Sequence, residues 1–384
     1  MLTRYGMMAA VVALMLSAVI YSPSGDAATL PKDPQTELVY VGTQGNQIHA
    51  LRLDTSTGKL TPIGPVAEGL RPTWVVANPQ LPILYAVDDE SAKEGSVTAY
   101  AVNRETGALA KVNQVATRGD GTTNLSLDMH SMTLLAANYN SGSVSSIAVN
   151  RNGSLGSFVS MIQETGSGPN KRQASAHAHS VTVDPSERYA LVPDLGADRV
   201  FVYGFDRATH ELMPDGGADP HSFVVPPGSG PRHAAFGLNG HFVYLLDELT
   251  AEIMVLRWDA SQGRLTLVQS VQTTSDKFKG VKSGAEVAVS HDGRFVYVEN
   301  RGENAIVVYR VNPDSGELSL VQRTSSGGNR PWGFAIDSSG RWMLVANQRS
   351  GKVNAFNIDL ASGMVSDTGQ SADVPAPVSI AFVK

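Results

Sequence analysis

Two histidines separated by a single residue are the most chemically suggestive feature of the sequence. His177 and His179 lie in a segment ahead of a run that alternates apolar and polar residues, and Asp194 follows in the next apolar run. An imidazole has an unperturbed pKa near neutrality, so it can act as a general base or bind a metal ion. We expect the two rings to lie at the mouth of a site.

Further carboxylate, imidazole and guanidinium side chains occur in later segments. Arg232 and His233 are adjacent, Glu286 follows Ala285, and Arg301 comes later in the chain. A carboxylate or an imidazole can activate water, and a guanidinium can stabilise the oxyanion that forms when water attacks an ester carbonyl. Other cations could hold a carboxylate or a phosphate, and these are Lys171, Arg172 and Arg330. Such a set suits an anionic, oxygen-rich ligand.

The composition limits the classes of function that the chain can have. It has 384 residues, of which 42% are hydrophobic and 17% charged, so it can bury a large core. The formal net charge of -6 and the lack of a basic run give no footprint for nucleic acid. The absence of cysteine excludes disulfides, thiolate catalysis and cysteine-ligated metals.

The N-terminus has the pattern of a targeting segment. Arg4 supplies a positive start, an apolar run over residues 7–20 is short for a membrane span, and small residues follow at Ala27 and Ala28. These features predict a signal peptide over residues 1–28, a linker over 29–37 and a periplasmic or secreted protein. The alternative is an uncleaved N-terminal anchor, and no other membrane contact is expected.

From Leu38 onward one turn unit recurs seven times. An apolar residue starts each copy, an Asp or Asn follows six residues later, and a Gly usually follows ten residues later. The pattern predicts two strands joined by a short turn, in which the Asp or Asn caps the turn and the Gly adopts positive φ. The third copy is one residue short, and the fourth has His210 in place of Gly. The copies start at Ile48, Val97, Val144, Val200, Ile253, Ile306 and Val353.

A second strand pair precedes each copy from the second onward, so four strands recur with a spacing of 47 to 56 residues. That period predicts an all-β fold, a seven-bladed β-propeller of four-stranded blades over residues 38–384. The first copy lacks part of its leading pair, whereas the C-terminus supplies a spare strand over residues 378–383. Pairing of this strand into the first blade would close the ring and remove the exposed edges.

The predicted ring brings distant residues together. The innermost strand of each blade starts near one mouth of the central channel, so residues at these positions converge there. Neighbouring blades direct towards one mouth His177, His179, Arg232, His233, Glu286, Arg301, Arg330 and Trp332. The sequence therefore predicts a candidate site at this mouth.

Several segments of the chain carry a resemblance to a known family. They are Gly166-Ser167-Gly168-Pro169-Asn170, Arg172-Gln173, His177-Ala178-His179-Ser180, Val192-Pro193-Asp194-Leu195-Gly196, Gly230-Pro231-Arg232-His233, Ala285-Glu286 and Asn300-Arg301-Gly302. The chain resembles the bacterial seven-bladed 6-phosphogluconolactonase family, which is related to carboxy-muconate lactonizing enzymes. The resemblance covers essentially everything after the linker. Thr122-Thr123-Asn124-Leu125 departs from it, where the family commonly has His, and so does the bulkier Arg330-Pro331-Trp332-Gly333.

The resemblance implies that a small-molecule lactone is opened, or formed, at the channel mouth without a cofactor or a metal. It assigns catalysis to His179, Arg232, Glu286 and Arg301. Substrate binding is expected from His177, His233, Arg172, Lys171, Arg330 and Trp332. Either Glu286 or an imidazole could be the base. An unphosphorylated sugar lactone fits an exported protein better than a phosphorylated one, which is a cytosolic metabolite. The direction of the reaction and the oligomeric state stay open.

Alternatives stand beside this interpretation. A His-x-His pair could bind zinc, although no third ligand occurs at metal spacing. Arg232 and Glu286 could form a structural ion pair between blades. Asp194 suits a turn, and Asp247, Asn300 and Asn347 suit the repeat architecture. The whole propeller could be a binding or scaffold module, since a fold alone implies no activity.

Overall fold

The computed structural model describes residues 36–90, 94–214 and 221–383, in which all regular secondary structure is β-strand. The predicted signal peptide and most of the predicted linker lie outside these ranges. The first strand begins at Thr36, so Thr36 and Glu37 belong to the folded domain and not to the linker. No helix in the described ranges is long and apolar enough to cross a membrane.

The described strands form seven antiparallel sheets, which we number as blades 1 to 7 from the N-terminus. Blade 1 contains, from the channel outwards, β29 (Pro377–Val383), β1 (Thr36–Thr43), β2 (Gln47–Asp54) and β3 (Leu60–Glu68). Blade 2 contains β4 (Val75–Ala77), β5 (Ile83–Asp88), β6 (Glu94–Val102) and β7 (Leu109–Asp120). Blade 3 contains β8 (Thr122–Asp128), β9 (Thr133–Asn138), β10 (Ser143–Val149) and β11 (Leu155–Gln163).

The remaining blades repeat this order. Blade 4 contains β12 (Thr182–Val183), β13 (Tyr189–Asp194), β14 (Arg199–Asp206), β15 (Glu211–Pro214) and β16 (Ser222–Val224). Blade 5 contains β17 (Pro231–Phe236), β18 (Phe242–Asp247), β19 (Glu252–Asp259) and β20 (Arg264–Gln272). Blade 6 contains β21 (Gly284–Val289), β22 (Phe295–Asn300), β23 (Ala305–Val311) and β24 (Leu318–Ser325). Blade 7 contains β25 (Pro331–Ile336), β26 (Trp342–Asn347), β27 (Lys352–Ile358) and β28 (Val365–Asp373).

The predicted fold and its closure are confirmed. The C-terminal strand β29 pairs antiparallel with β1, from Leu38 opposite Val383 to Gly42 opposite Ser379. The first and last strands of the domain therefore share one sheet, in which β1 has a partner strand on both edges. Blade 4 differs from the other blades because a fifth strand, β16, also pairs with β14.

The core lies between the blades. Each blade packs against both neighbours, so its second strand is buried on both faces and reads as a nearly continuous apolar run. All six residues of β18, β22 and β26 are buried. Outer strands such as β20 consist of exposed and half-buried residues only, because they lie at the rim of the blade.

Each of the seven recurring turns connects the third and fourth strands of one blade and packs against the preceding blade. In blade 1, Asp54 Oδ1 accepts hydrogen bonds from the backbone N–H groups of Ser56 and Thr57, as the turn pattern predicts. The turn glycines have φ between 62° and 83°, and a bulky residue of the preceding blade packs on most of them. The fourth turn has the same geometry, although His210 replaces the Gly and Thr133 replaces the bulky residue. His210 has φ 64°, and its Nδ1 lies 2.8 Å from Thr133 Oγ1.

We expect Gly363→Ala to lower the free energy of unfolding by about 2–5 kcal/mol, since φ is +77° and a Cβ would lie 2.4 Å from the Phe295 ring. Gly369→Ala is the matched control in the same blade, because φ is +71° but no atom lies within 4 Å. It should cost only about 1–2 kcal/mol. Urea unfolding of both variants measures the difference, and equal losses would rule out the packing contribution.

Candidate active site

Bulges at the start of the inner strands determine which side chains reach the channel mouth. The pairing of β17 with β18 passes from Pro231 opposite Asp247 to His233 opposite Leu246, so Arg232 is the extra residue. A bulge re-aims the side chains beside it, whereas a regular strand sends consecutive side chains to opposite faces. Arg232 and His233 therefore both line the same cavity. Comparable register shifts occur at the start of β8, β21 and β25.

The cavity at this mouth has a volume of about 1070 Å³ and is lined by residues from all seven blades. Its two carboxylate side chains are Asp89 and Glu248. They are outnumbered by eight cationic side chains, Arg71, Lys171, Arg172, Arg232, Lys282, Arg301, Arg330 and Arg349. The wall is thus strongly positive although the whole chain has a net charge of -6. Such a cavity attracts anionic ligands.

Eight of the ten predicted site residues line the cavity, namely Lys171, Arg172, His179, Arg232, His233, Arg301, Arg330 and Trp332. The other two do not. His177 stacks on the Tyr139 ring with the centroids 4.6 Å apart, and its Nδ1 lies 2.8 Å from the Tyr139 carbonyl oxygen. Glu286 lies behind His233 instead of in the wall. Both were expected at the mouth, but neither side chain lines the cavity itself.

Glu248 is the centre of the charged network. Its Oε1 lies 2.7 Å from Arg301 Nη2 and also contacts Arg172 Nη1, and its Oε2 lies 3.2 Å from Arg232 Nε. Burial alone would raise the pKa of this carboxyl, but Arg301, His179, Arg172 and Arg232 together hold the pKa well below its usual range. Glu248 therefore stays ionised and fixes three guanidinium groups around it.

Glu248 was not among the predicted site residues, although the sequence contains a signal for it. Glu248 directly follows Asp247, the last residue of β18, just as Arg301 follows Asn300 at the end of β22. Asp89 and Tyr139 occupy the same position after β5 and β9, and all four residues line the cavity. The alternative of an Arg232–Glu286 ion pair is also corrected, because Arg232 pairs with Glu248.

Arg232 and Arg301 each have one terminal amino group without a hydrogen bond to the described residues. Arg232 donates through Nε to Glu248 and through Nη1 to the Ala285 carbonyl oxygen, which leaves Nη2. Arg301 donates through Nε to Ser283 Oγ at 3.0 Å, and its Nη2 pairs with Glu248. Arg301 Nη1 has no hydrogen-bond partner within the described ranges. Both groups are held in position before any ligand binds.

His233 and Glu286 form a buried pair. His233 Nδ1 lies 2.8 Å from Glu286 Oε1, so the ring donates there and its Nε2 carries the lone pair. Burial lowers the pKa of His233, and although Glu286 opposes this effect, the net shift is downward. Trp74, from the opposite side of the channel, meets the His233 ring edge-on at a centroid distance of 5.2 Å. The arrangement presents an uncharged, oriented imidazole.

His179 is a second uncharged imidazole. Burial and the neighbouring Arg232 lower its pKa to about 3, so it is neutral at physiological pH. Its ring lies 5.3 Å from that of His233, and its Nε2 is 3.6 Å from Glu248 Oε2. His177 and His179 gather no third metal ligand; the one group at ligand spacing in the described part of the chain is Asp128, His130 and Glu187, away from the cavity.

Cationic side chains and one aromatic ring complete blades 6 and 7 of the wall. The Arg301 guanidinium lies 4.3 Å from the centre of the Trp332 ring, and that of Arg330 lies 5.2 Å from it. Such cation–π contacts hold the guanidinium planes in place without consuming their hydrogen-bond donors. Arg330 therefore remains able to bind an anionic group.

Comparison with known proteins relates the whole propeller to lactonases. The family model described as lactonase, 7-bladed β-propeller, matches residues 38–382. The chain is similar to a 6-phosphogluconolactonase of Bacillus subtilis, with 34% identity over 90% of this chain and 97% of that protein. It is also similar to the periplasmic gluconolactonase of Pseudomonas aeruginosa, with 35% identity, a TM-score of 0.84, and coverage of 91% of this chain and 99% of that one. The chain therefore belongs to the seven-bladed β-propeller lactonase family.

Proposed function

We propose that the chain is a lactone hydrolase of the 6-phosphogluconolactonase type, which opens a sugar lactone at the channel mouth. The observation that carries the proposal is the His233–Glu286 pair, whose Nδ1–Oε1 distance is 2.8 Å, in a cavity lined by arginines. The family membership and the names of the relatives from Bacillus subtilis and Pseudomonas aeruginosa support the same reaction class.

The first step is the activation of water by His233. Nδ1–H donates to Glu286, so the Nε2 lone pair accepts a proton from water while the water oxygen adds to the lactone carbonyl carbon. Glu286 stabilises the imidazolium that results, and it keeps the ring in the required tautomer. Glu248 is a poor base by comparison, because the three arginines lower its pKa and occupy both of its oxygens.

The second effect is the stabilisation of the oxyanion. As the carbonyl oxygen becomes negative, Nη2 of Arg232 supplies a hydrogen bond, and the guanidinium groups of Arg232 and Arg301 supply positive charge. These groups need no rearrangement, since Glu248, Ser283 and the Ala285 carbonyl oxygen already fix both guanidinium planes. The ring C–O bond then breaks, and His233 returns its proton to the departing alkoxide. His179, neutral and in the same wall, is available as a hydrogen-bond partner for the reacting ester.

The remaining predicted binding residues suit an anionic group of the ligand. Lys171, Arg172, Arg330 and Trp332 lie in the cavity wall, and His177 supports it from behind by stacking on Tyr139. A guanidinium binds a carboxylate or a phosphate through two parallel hydrogen bonds. The wall thereby favours the product, an aldonate with a new carboxylate, as well as any anionic substituent of the substrate. An unphosphorylated lactone is the substrate expected for an exported protein.

We also propose that the protein is exported to the periplasm or secreted. The positive start, short apolar run and small residues of positions 1–28 support a cleaved signal peptide. The similarity to a protein named as a periplasmic gluconolactonase supports the same location.

The mature chain should hydrolyse glucono-1,5-lactone well above the spontaneous rate, measured as acid release in a pH-stat. Glu286→Gln should lower kcat by about 10²–10⁴-fold, because an amide can hold the His233 ring in the opposite tautomer and removes the charge behind it.

Glu299→Gln is the matched control in the adjacent strand. Burial raises the pKa of Glu299 well above its usual value, so Gln replaces an uncharged side chain of similar size. This variant should keep kcat within about threefold of the wild type, since it changes neither the charge nor the volume of the side chain and removes no hydrogen bond of the pair. Full activity in Glu286→Gln would contradict the assigned base, and no hydrolysis of any lactone would contradict the function.

The acid limb of kcat/KM for δ-valerolactone should lie below pH 6.5. Burial lowers the pKa of His233 from its ordinary value of 6.5, so the ring stays unprotonated and competent as pH falls through neutrality. Because Glu286 opposes this shift, the residual activity of Glu286→Gln should lose its acid limb or show it at still lower pH. A limb above pH 7 in the wild type would exclude His233 as the base.

The full-length chain, expressed in a Gram-negative host, should appear in the periplasmic fraction without residues 1–28, to within about one residue. Fractionation followed by intact-mass measurement checks both points. A variant that lacks residues 1–28 is the control and should stay in the cytoplasm. An uncut chain in the cytoplasm would contradict the export proposal, and an uncut chain in the membrane would indicate an anchor.

A further inference from the structure

The wall of the cavity is electrically divided between its two sides. Blades 4 to 7 contribute seven of the cationic side chains and one carboxylate, Glu248. Among the described residues, blades 1 to 3 contribute a single cation, Arg71, and it faces the carboxylate of Asp89. The rest of this second side is uncharged: Gln44, Thr73, Trp74, Thr123, Tyr139 and Asn140. A ligand with one anionic end and one hydroxylated end would be oriented by this division.

We propose that Asp89 is a specificity-determining residue, which binds hydroxyl groups at the end of the substrate remote from the arginine-rich side. The inference rests on the proposed function, because it assigns the second side of the same cavity. The ligand class is a polyhydroxylated lactone or the aldonate formed from it, in preference to an unsubstituted lactone.

The contacts of Asp89 hold one of its oxygens and leave the other available. Thr73 Oγ1 donates to Asp89 Oδ2 at 3.0 Å, and Arg71 Nη2 lies 3.9 Å from the same oxygen. The backbone N–H of Asp89 donates to the Leu70 carbonyl oxygen at 3.2 Å, which fixes the main chain. Asp89 Oδ1 has no hydrogen bond to any described residue, and 17% of the side-chain surface is exposed.

Asp89 differs in this respect from Glu248, the other carboxylate of the described wall. The Glu248 side chain is only 3% exposed, and arginines engage both of its oxygens. Asp89 thus provides the carboxylate oxygen that a ligand can reach. A carboxylate accepts charge-assisted hydrogen bonds from hydroxyl groups, and these are stronger than neutral ones.

The charge of Asp89 depends on pH in the range where the assay is feasible. Burial raises its pKa to about 6, while Arg71 and Thr73 oppose the shift and Asp88 adds to it. Arg71 and Thr73 belong to the segment before β4, and Asp88 ends β5. The carboxylate is therefore ionised above pH 6 and lost as pH falls below it.

The test compares glucono-1,5-lactone with δ-valerolactone, which lacks the hydroxyl groups. Asp89→Ala should raise KM for glucono-1,5-lactone about tenfold, the effect of losing a charge-assisted hydrogen bond, and leave kcat unchanged. KM for δ-valerolactone should not change. Asp88→Asn is the matched control, because Asp88 lies outside the cavity wall and Asn occupies the equivalent strand end in blades 3, 6 and 7.

The pH dependence separates recognition from a structural effect. Wild-type KM for glucono-1,5-lactone should rise as pH falls through about 6, because the ionised acceptor is lost. Asp89→Asn should show a raised KM that does not change between pH 5 and 8, since its side chain does not titrate. The same pH step should be absent for δ-valerolactone.

Calorimetric titration with gluconate keeps the inference separate from the proposed catalysis, since it needs no turnover. Binding should weaken about tenfold in Asp89→Ala and stay unchanged in Asp88→Asn. An unchanged gluconate affinity in Asp89→Ala would overturn the inference even if the wild type is an active lactonase. An equal loss of kcat for both lactones would also overturn it, because Asp89 would then act on the reaction and not on the hydroxyls.

Discussion

The buried carboxylate of Glu248 is the interaction on which the site depends. It contacts Arg172 from blade 4, Arg232 from its own blade 5, and Arg301 from blade 6. Removal of one partner from a buried ion pair costs about 3–5 kcal/mol, because the charge that remains is uncompensated. One carboxylate among three cations leaves a net positive charge, which lies on guanidinium groups that all contact Glu248. The same contacts therefore connect three blades and hold the positive charges that bind an anionic ligand.

Burial and the fixed cations together keep the two histidines uncharged. Burial is the main cause of the low pKa of His179 and His233, and Arg232 lowers both further. An imidazole that stays uncharged beside arginines can accept a proton, whereas a charged one cannot. Glu286 counteracts the effect at His233 alone, since it bonds to Nδ1 of that ring. The two rings thus differ in their partners although they lie 5.3 Å apart, and His233 has the environment that a base requires.

Repetition made most of the fold predictable from the sequence. Seven copies of the turn pattern specified the blades, and the spare C-terminal strand specified how the ring closes. Even the exception at His210 keeps the turn geometry, with φ 64° and Thr133 in place of the usual bulky neighbour. The direction of individual side chains was less predictable. Simple alternation places consecutive residues on opposite faces, and bulges at the start of inner strands, such as the one at Arg232, break that rule without a distinctive sequence pattern.

The candidate site shows how function varies on a repeated scaffold. An Asp or Asn ends the second strand of blades 2 to 7. Some of these side chains form hydrogen bonds that stabilise the fold; for example, Asn300 Nδ2 donates to Thr273 Oγ1 at 2.9 Å. The next residue faces the cavity in four blades, and there the side chain differs each time: Asp89, Tyr139, Glu248 and Arg301. Packing between blades constrains the last residue of the second strand, whereas the residue that follows it is free to vary. Four side chains of the cavity wall therefore lie one residue beyond the shared strand end, and a pattern that located the blades passed over Glu248 for this reason.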